Sequence, residues 1–310
     1  MATYIAPISW GLGDLVVSLQ AVQTLIEQGG ETYLIARSDS QAELASRVEG
    51  LAGTVSEKDF DASSLAPSDV YLNLRNHPLQ KNYWWGSPEF EAAYPGYKIN
   101  DCLTTIARDF GLLVDWQKLT PLSSIHRENF AKTIIFIAGS DGDYKNWPKQ
   151  NWLELESLLI ERGYSVVVIG QPHTCPAVNE LCEAGLQWID TPQIGHAIDV
   201  ISSSAAVVGV DTGLSHLSVN QGIQTTMLFR SDPIFIRDYP NCHSLIAKAC
   251  PKECIDQSNS CAHNEVTEFN EWTPKVWRCS LDDQTRCMSS IDARTVFEFV
   301  TMNLPITFGS

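Results

Sequence analysis

Three short stretches of this chain carry residue types whose spacing suits the handling of a phosphorylated ligand. The first, Val207–His216, reads VVGVDTGLSH: β-branched residues run into Asp211, a Thr212-Gly213 turn follows, and a helix begins. At such a start the N–H groups of Thr212, Gly213 and Leu214 lack intrahelical partners and converge where the helix dipole is positive, which suits an anion. Gly213 lets a phosphate come close to the main chain, and His216 in the first turn adds a hydrogen bond or a charge. The plainer reading is a capped helix with Asp211 as its cap and His216 exposed. The second stretch, Gly139–Trp152, reads GSDGDYKNWPKQNW and sets Lys145 just ahead of a helix opening at Pro148. A lysine there neutralises a leaving diphosphate, and Ser140 donates its hydroxyl to the same group. Alternatively, Lys145 is a solvated loop cation and Trp147 a packing wedge. The third stretch is Trp10–Asp14, WGLGD. It places Gly13 in a strand-to-helix turn, yet Val16 and Val17 stand where a dinucleotide fingerprint needs another glycine, which disfavours a dehydrogenase. Asp14 reads either as a general base or as an N-cap.

The elements that must position these residues alternate between strand and helix. Thr3–Ile8 is a strand, and Leu15, Leu19, Val22, Leu25 and Ile26 form one apolar stripe of a helix that Gly29-Gly30 ends. Glu31–Ala36 is the next strand and Asp69–Leu74 another, so the chain opens on a β-α-β unit. Asn76–Tyr97, dense in Trp, Tyr, Pro and Gly, reads as a loop whose aromatics line a cleft, and Thr104–Phe110 as a helix. Ser123–Phe130 is polar and reads as a linker. The pattern then restarts with strands at Thr133–Ala138, Ser165–Gly170, Gln187–Asp190, Ala205–Val210 and Thr225–Phe229, the last closing the series. Helices at Pro148–Arg162, Pro176–Glu183, Ile198–Ser203 and Leu214–Gln221 alternate with them. Two such blocks predict an α/β protein of two facing Rossmann-like, doubly wound parallel-sheet domains, residues 1–127 and 128–310. Ligands in such folds bind outside the carboxyl ends of the strands, where all three stretches fall.

Composition narrows the partners. With 37 acidic and 21 basic residues, the net charge of −16 repels nucleic-acid backbones and anionic lipid surfaces, so no nucleic-acid partner is expected. The same charge makes a small molecule or a protein a more comfortable acceptor than a strongly anionic lipid. Met1–Ser9 has no cationic stretch, and no apolar run exceeds strand length, so neither a targeting segment nor a transmembrane span is expected and the location reads as cytoplasmic. Of nine cysteines, Cys242, Cys250, Cys254, Cys261, Cys279 and Cys287 cluster late. Cys250, Cys254 and Cys261 suit a structural zinc ion with Cys279, Cys287 or His263 as the fourth ligand, but the paired Cys-x2-Cys spacing is missing. Disulfides and reduced thiols are the rival readings.

Leu12-Gly13-Asp14, Lys145-Asn146-Trp147-Pro148 and Asp211-Thr212-Gly213-Leu214-Ser215-His216, in this order, resemble the motifs of glycosyltransferase family 9, the lipopolysaccharide heptosyltransferases. The RCMSSID segment around Cys287 also looks like that family's C-terminal part, so the resemblance runs over nearly the whole chain. The resemblance implies a GT-B fold whose final helix, with Phe297–Met302, crosses back to the first domain. It implies a metal-independent, cofactor-free, inverting transfer of a hexosyl or heptosyl group from a nucleotide-diphosphate sugar, an ADP-sugar being favoured. Asp14 matches the family's general base, Lys145 and Ser140 its phosphate loop, and Asp211, Thr212, Gly213 and His216 its diphosphate turn. This chain departs from the pattern in carrying Asp141 and Asp143 ahead of the lysine and Gln171-Pro172-His173 where relatives often place an acid for the ribose. Neither the heptose nor the acceptor is carried over. A nucleotide-sugar 2-epimerase and a non-catalytic sugar-nucleotide binder share the architecture and are the alternatives.

Overall fold

Runs of Val and Ile alternate with amphipathic helices, and in the computed structural model they build two parallel sheets. The structure describes residues 1–8, 11–83, 85, 88–126, 130–140, 145–230, 236–237, 239–247, 287–302 and 304. The first sheet comes from β1 (Ala2–Ala6), β2 (Glu31–Ala36), β3 (Gly53–Ser56) and β4 (Val70–Asn73) in the order β3-β2-β1-β4. The second comes from β5 (Thr133–Ile137), β6 (Ser165–Gly170), β7 (Trp188–Asp190), β8 (Ala206–Val210), β9 (Thr225–Phe229) and β10 (Cys242–Ile246), in the order β10-β9-β8-β5-β6-β7. All pairings are parallel, so every strand ends at the same edge of its sheet.

The helices are α1 (Leu12–Gln28), α2 (Asp39–Ala45), α3 (Pro78–Lys81), α4 (Pro88–Ala93), α5 (Ile99–Asp109), α6 (Lys149–Glu161), α7 (Pro176–Glu183), α8 (Ile194–Ser202), α9 (Gly213–Asn220) and α10 (Ala293–Met302). Strand periodicity divides the second sheet's side chains between two cores. Ile135 and Ile137 of β5 join the apolar cluster that holds α8, α9 and the helices of the first sheet, whereas Ile134 and Phe136 join the one that holds α6 and α10. The first of these cores is therefore continuous between the two sheets.

Several sequence expectations change. The loop expected over 76–97 contains α3, opened by Pro78 and capped by His77, and α4. Its aromatics pack on one another, with Tyr83, Phe90, Tyr94 and Tyr97 ring centroids 5.2–6.3 Å apart, because a buried Phe90 gathers them. Pro148 is the N-cap of α6 with ψ 138°, one position ahead of the first turn, where its missing N–H leaves no helical bond unmade. The series does not close at β9, because β10 extends it with Ser244 opposite Met227. The helix expected to return to the first sheet is α10, and it packs instead on α6 and β9 of the second through Val296 and Val300.

The two sheets are joined by packing of α1 on α9 and of α2 on α8. On α2, the Glu43 carboxylate accepts the first N–H groups of α8, from Ile194 at 3.2 Å and Gly195 at 3.0 Å. Arg47 pairs with the buried Asp199 at 3.2 Å and donates to the Ser123 carbonyl, while the Ile125 N–H donates to the same Asp199 oxygen at 2.9 Å. Among the described residues no helix is long and apolar enough to cross a membrane.

Candidate functional site

β5 and β8 are neighbours in register, Ile137 opposite Gly209, so the loops after them leave the sheet at one edge. That pairing brings Lys145 to Asp211 across 66 residues of sequence, with the ammonium 2.7 Å from Oδ2 and 3.4 Å from the Asp211 carbonyl oxygen. Ser140 leaves the same edge three residues after β5 ends and is half-buried. Asp141 and Asp143 lie outside the described residues.

Asp211 is 8% exposed and serves as a hub, not as a helix cap. One oxygen takes Lys145; the other lies 3.1 Å from His216 Nε2. Burial pushes the Asp211 carboxyl up, but the Lys145 and His216 contacts outweigh it and hold the group well below the usual carboxylate range. Burial also lowers His216 below its ordinary value, partly offset by Asp211. The consistent protonation state is an ionised Asp211 accepting N–H from a neutral His216. His216 is thus buried, contrary to the exposed alternative, and its Nδ1 has no hydrogen-bond partner among the described residues.

Because Asp211 is taken, the start of α9 has no acid of its own. Thr212 is the N-cap in an extended conformation with no side-chain cap bond, and the first turn of the helix contains no acidic residue. Ser215 and His216 donate their N–H groups back to the Thr212 carbonyl at 3.1 Å, whereas those of Thr212, Gly213 and Leu214 make no hydrogen bond among the described residues. These are the amides the sequence pointed to, and they lie beside the Lys145–Asp211 pair.

Opposite α9 stands the start of α1. Gly13 and Gly213 meet there: a Cβ on Gly213 would lie 3.0 Å from the Gly13 nitrogen, and one on Gly13 would lie 3.4 Å from His216 Cδ2. The missing side chain of Gly213 allows this helix–helix approach. Asp14 is the third residue of α1 and not its N-cap, which is Gly11; its Oδ2 accepts the Gly11 N–H at 2.8 Å. Asp14 therefore sits one residue from the glycine contact, half-buried, with a carboxylate in the positive end of α1.

Sequence reading missed Arg237, which is 2% exposed and donates to the His216 carbonyl at 3.2 Å. Nothing in its local pattern marks it, since it lies beyond β9 in a stretch without periodicity. Among the described residues no group of three or more His, Cys, Asp or Glu side chains is placed to hold a metal ion. Cys242 and Cys287 are buried, while Cys250, Cys254, Cys261, Cys279 and His263 of the suggested zinc set lie outside the described residues.

Residues 113–264 match the family model of glycosyltransferase family 9 (heptosyltransferase). The chain is 30% identical over 130 residues to lipopolysaccharide heptosyltransferase 1 of Escherichia coli K12, a match covering 41% of this chain and 40% of that protein. It is 33% identical over 105 residues to the enzyme of the same name from Pseudomonas aeruginosa, covering 32% of this chain and 29% of that one. These matches span less than half the length of the curated relatives. Among solved structures, a family 9 glycosyl transferase from Veillonella parvula superposes with a TM-score of 0.68 at 13% identity, covering 97% of this chain and 96% of that one. The E. coli heptosyltransferase WaaC with ADP does so with a TM-score of 0.65 at 16% identity, covering 98% and 100%.

Proposed function

Taking the chain as a glycosyltransferase-family-9-like protein with the GT-B fold, we propose that it transfers a sugar from a nucleotide-diphosphate donor to a hydroxyl acceptor by a single inverting displacement. The observation that carries the reading is the uncapped start of α9 beside Lys145, with Asp14 on the helix that touches it. In the displacement the acceptor oxygen bonds to the anomeric carbon and the carbon–oxygen bond to the diphosphate breaks. The bonding electrons pass to the diphosphate, and the acceptor proton passes to Asp14. The charge that grows on the diphosphate is met by the amides of Thr212, Gly213 and Leu214 and by Lys145, donors fixed before the reaction begins. With those donors in place the chain's own residues stabilise the leaving group, and no step calls for a metal or a cofactor. Ser140, at the same sheet edge, adds a hydroxyl on the Lys145 side.

The WaaC structures contain ADP and ADP-2-deoxy-2-fluoro heptose, which makes ADP the favoured leaving group and ADP-heptose the first donor to try. Thermal shifts with ADP, GDP, UDP and dTDP, followed by assay of ADP release from ADP-heptose, test the proposal. ADP should stabilise most, and release should require an acceptor. A sugar altered without an acceptor would instead indicate an epimerase, and tight binding without turnover a sugar-nucleotide binder. Absence of binding by every nucleoside diphosphate would remove the reading altogether.

A further inference from the structure

Among the described residues the buried acids and bases other than histidine are Asp199, Asp211 and Arg237. Asp199 is matched by Arg47 and Asp211 by Lys145. Arg237 faces no carboxylate within ion-pair distance among the described residues. One of its terminal nitrogens donates to the His216 carbonyl at 3.2 Å, and its guanidinium carbon lies 4.4 Å from the centroid of the Tyr239 ring. Tyr239 is itself fixed, its hydroxyl donating to the Trp116 carbonyl and accepting from Gln20 Nε2 at 3.3 Å. A guanidinium keeps its charge at any physiological pH and carries five N–H donors. Holding it in the interior without a counter-charge is expensive, because buried charges are normally paired.

Charge balance at the start of α9 points to what arrives. Lys145 and Asp211 cancel, and neutral His216 adds nothing. Asp14 belongs to the start of α1 opposite; on the α9 side, the buried charge left without a carboxylate partner among the described residues is Arg237, anchored on the His216 carbonyl. We propose that Arg237 is the charge-compensating, positioning residue of the donor site: its guanidinium is the standing positive charge that the diphosphate of a bound nucleotide sugar neutralises. The inference rests on the transferase reading above and adds to it a residue that supplies positive charge on the α9 side of the site. It also accounts for the position of Tyr239, whose ring face holds the guanidinium by a cation–π contact without cancelling its charge.

The test compares Arg237→Met and Arg237→Lys with the wild type by calorimetric titration of ADP and of inorganic pyrophosphate, alongside urea unfolding of the ligand-free proteins. The expected result is a pair of opposite signs. The methionine variant without ligand is as stable as the wild type or more so, because an unmatched buried charge has gone. Its affinity for ADP falls by about tenfold or more, and the lysine variant regains part of that loss. In turnover, KM for the donor rises more than kcat falls. A folded methionine variant that binds ADP as the wild type does overturns the proposal. So does a methionine variant that unfolds, because the empty protein should not depend on this charge. If wild-type protein binds none of ADP, GDP, UDP and dTDP, the transferase reading fails and this inference with it; wild-type binding that ignores Arg237 sinks the inference alone.

Discussion

The two helices that meet at Gly13 and Gly213 begin differently. α1 carries Asp14 in its first turn, folded back on the Gly11 N–H, so its positive end is already occupied by a carboxylate. α9 has no acid in its first turn, and the acid just ahead of it, Asp211, is turned aside by Lys145 and His216. An anion approaching this junction is therefore repelled by one helix start and attracted by the other. Under the proposed transfer, the α9 side would take the diphosphate and the α1 side would offer the base.

The sharpest way to break that division is Asp14→Asn. It removes the base and keeps the hydrogen-bonding shape, so turnover should fall by roughly a hundredfold or more while ADP affinity holds or rises; unchanged turnover would strip Asp14 of its role. Next comes Lys145→Ala, which should weaken ADP binding by about tenfold and slow transfer as well. Steady-state kinetics would show KM and kcat changing together, and a change in kcat alone would contradict a binding role. Third is the contact itself. Gly213→Ala sets a methyl 3.0 Å from the Gly13 nitrogen, which is backbone and cannot swing away, so a loss of roughly 1–3 kcal/mol is expected in urea unfolding. Gly13→Ala meets its neighbours only at 3.4 Å and should cost less; the reverse ranking would mean that the helices approach otherwise.

The smallest effect concerns pH. His216 is held below its ordinary value of about 6.5, so its contribution to stability is complete above that pH and is lost as the pH falls. The slope reaches at most about 1.4 kcal/mol per pH unit. Asp211 behaves likewise, but its window lies below pH ~4, since its ordinary value is near there and its folded value lower still. Urea midpoints should fall between pH 7 and pH 5 in the wild type and stay level in His216→Gln. An equal fall in both would assign the slope to other groups.

The parts of this site that sequence made legible are local. β-branched runs located β5, β6, β8 and β9 almost to the residue, and the Thr212-Gly213 turn marked a helix start with open amides. Strand order is not local. Lys145 reaches Asp211 only because β5 lies beside β8, and no spacing along the chain encodes that neighbour. Of the short elements, β4 and β7 were legible from their apolar runs, whereas β3 (Gly53–Ser56) and α2 (Asp39–Ala45), richer in small and polar residues, were not. Asp14 was expected at the N-cap because the apolar stripe begins at Leu15, while the helix starts earlier, at Leu12. Arg237 had no signal at all, since what distinguishes it is that no carboxylate among the described residues lies within ion-pair distance of it, a property of the folded chain alone.

Glu43 has a mechanical consequence. By collecting the first amides of α8 it pins the first sheet to the second at a point separate from the glycine junction. The Arg47–Asp199 pair, the Thr120–Asn220 hydrogen bonds and the Tyr239 hydroxyl on the Trp116 carbonyl tie the same two halves elsewhere, so several separate contacts share the load. A methyl on Gly195, 2.8 Å from an Arg47 terminal nitrogen and 2.9 Å from a Glu43 oxygen, would strain this one tether while leaving the others in place.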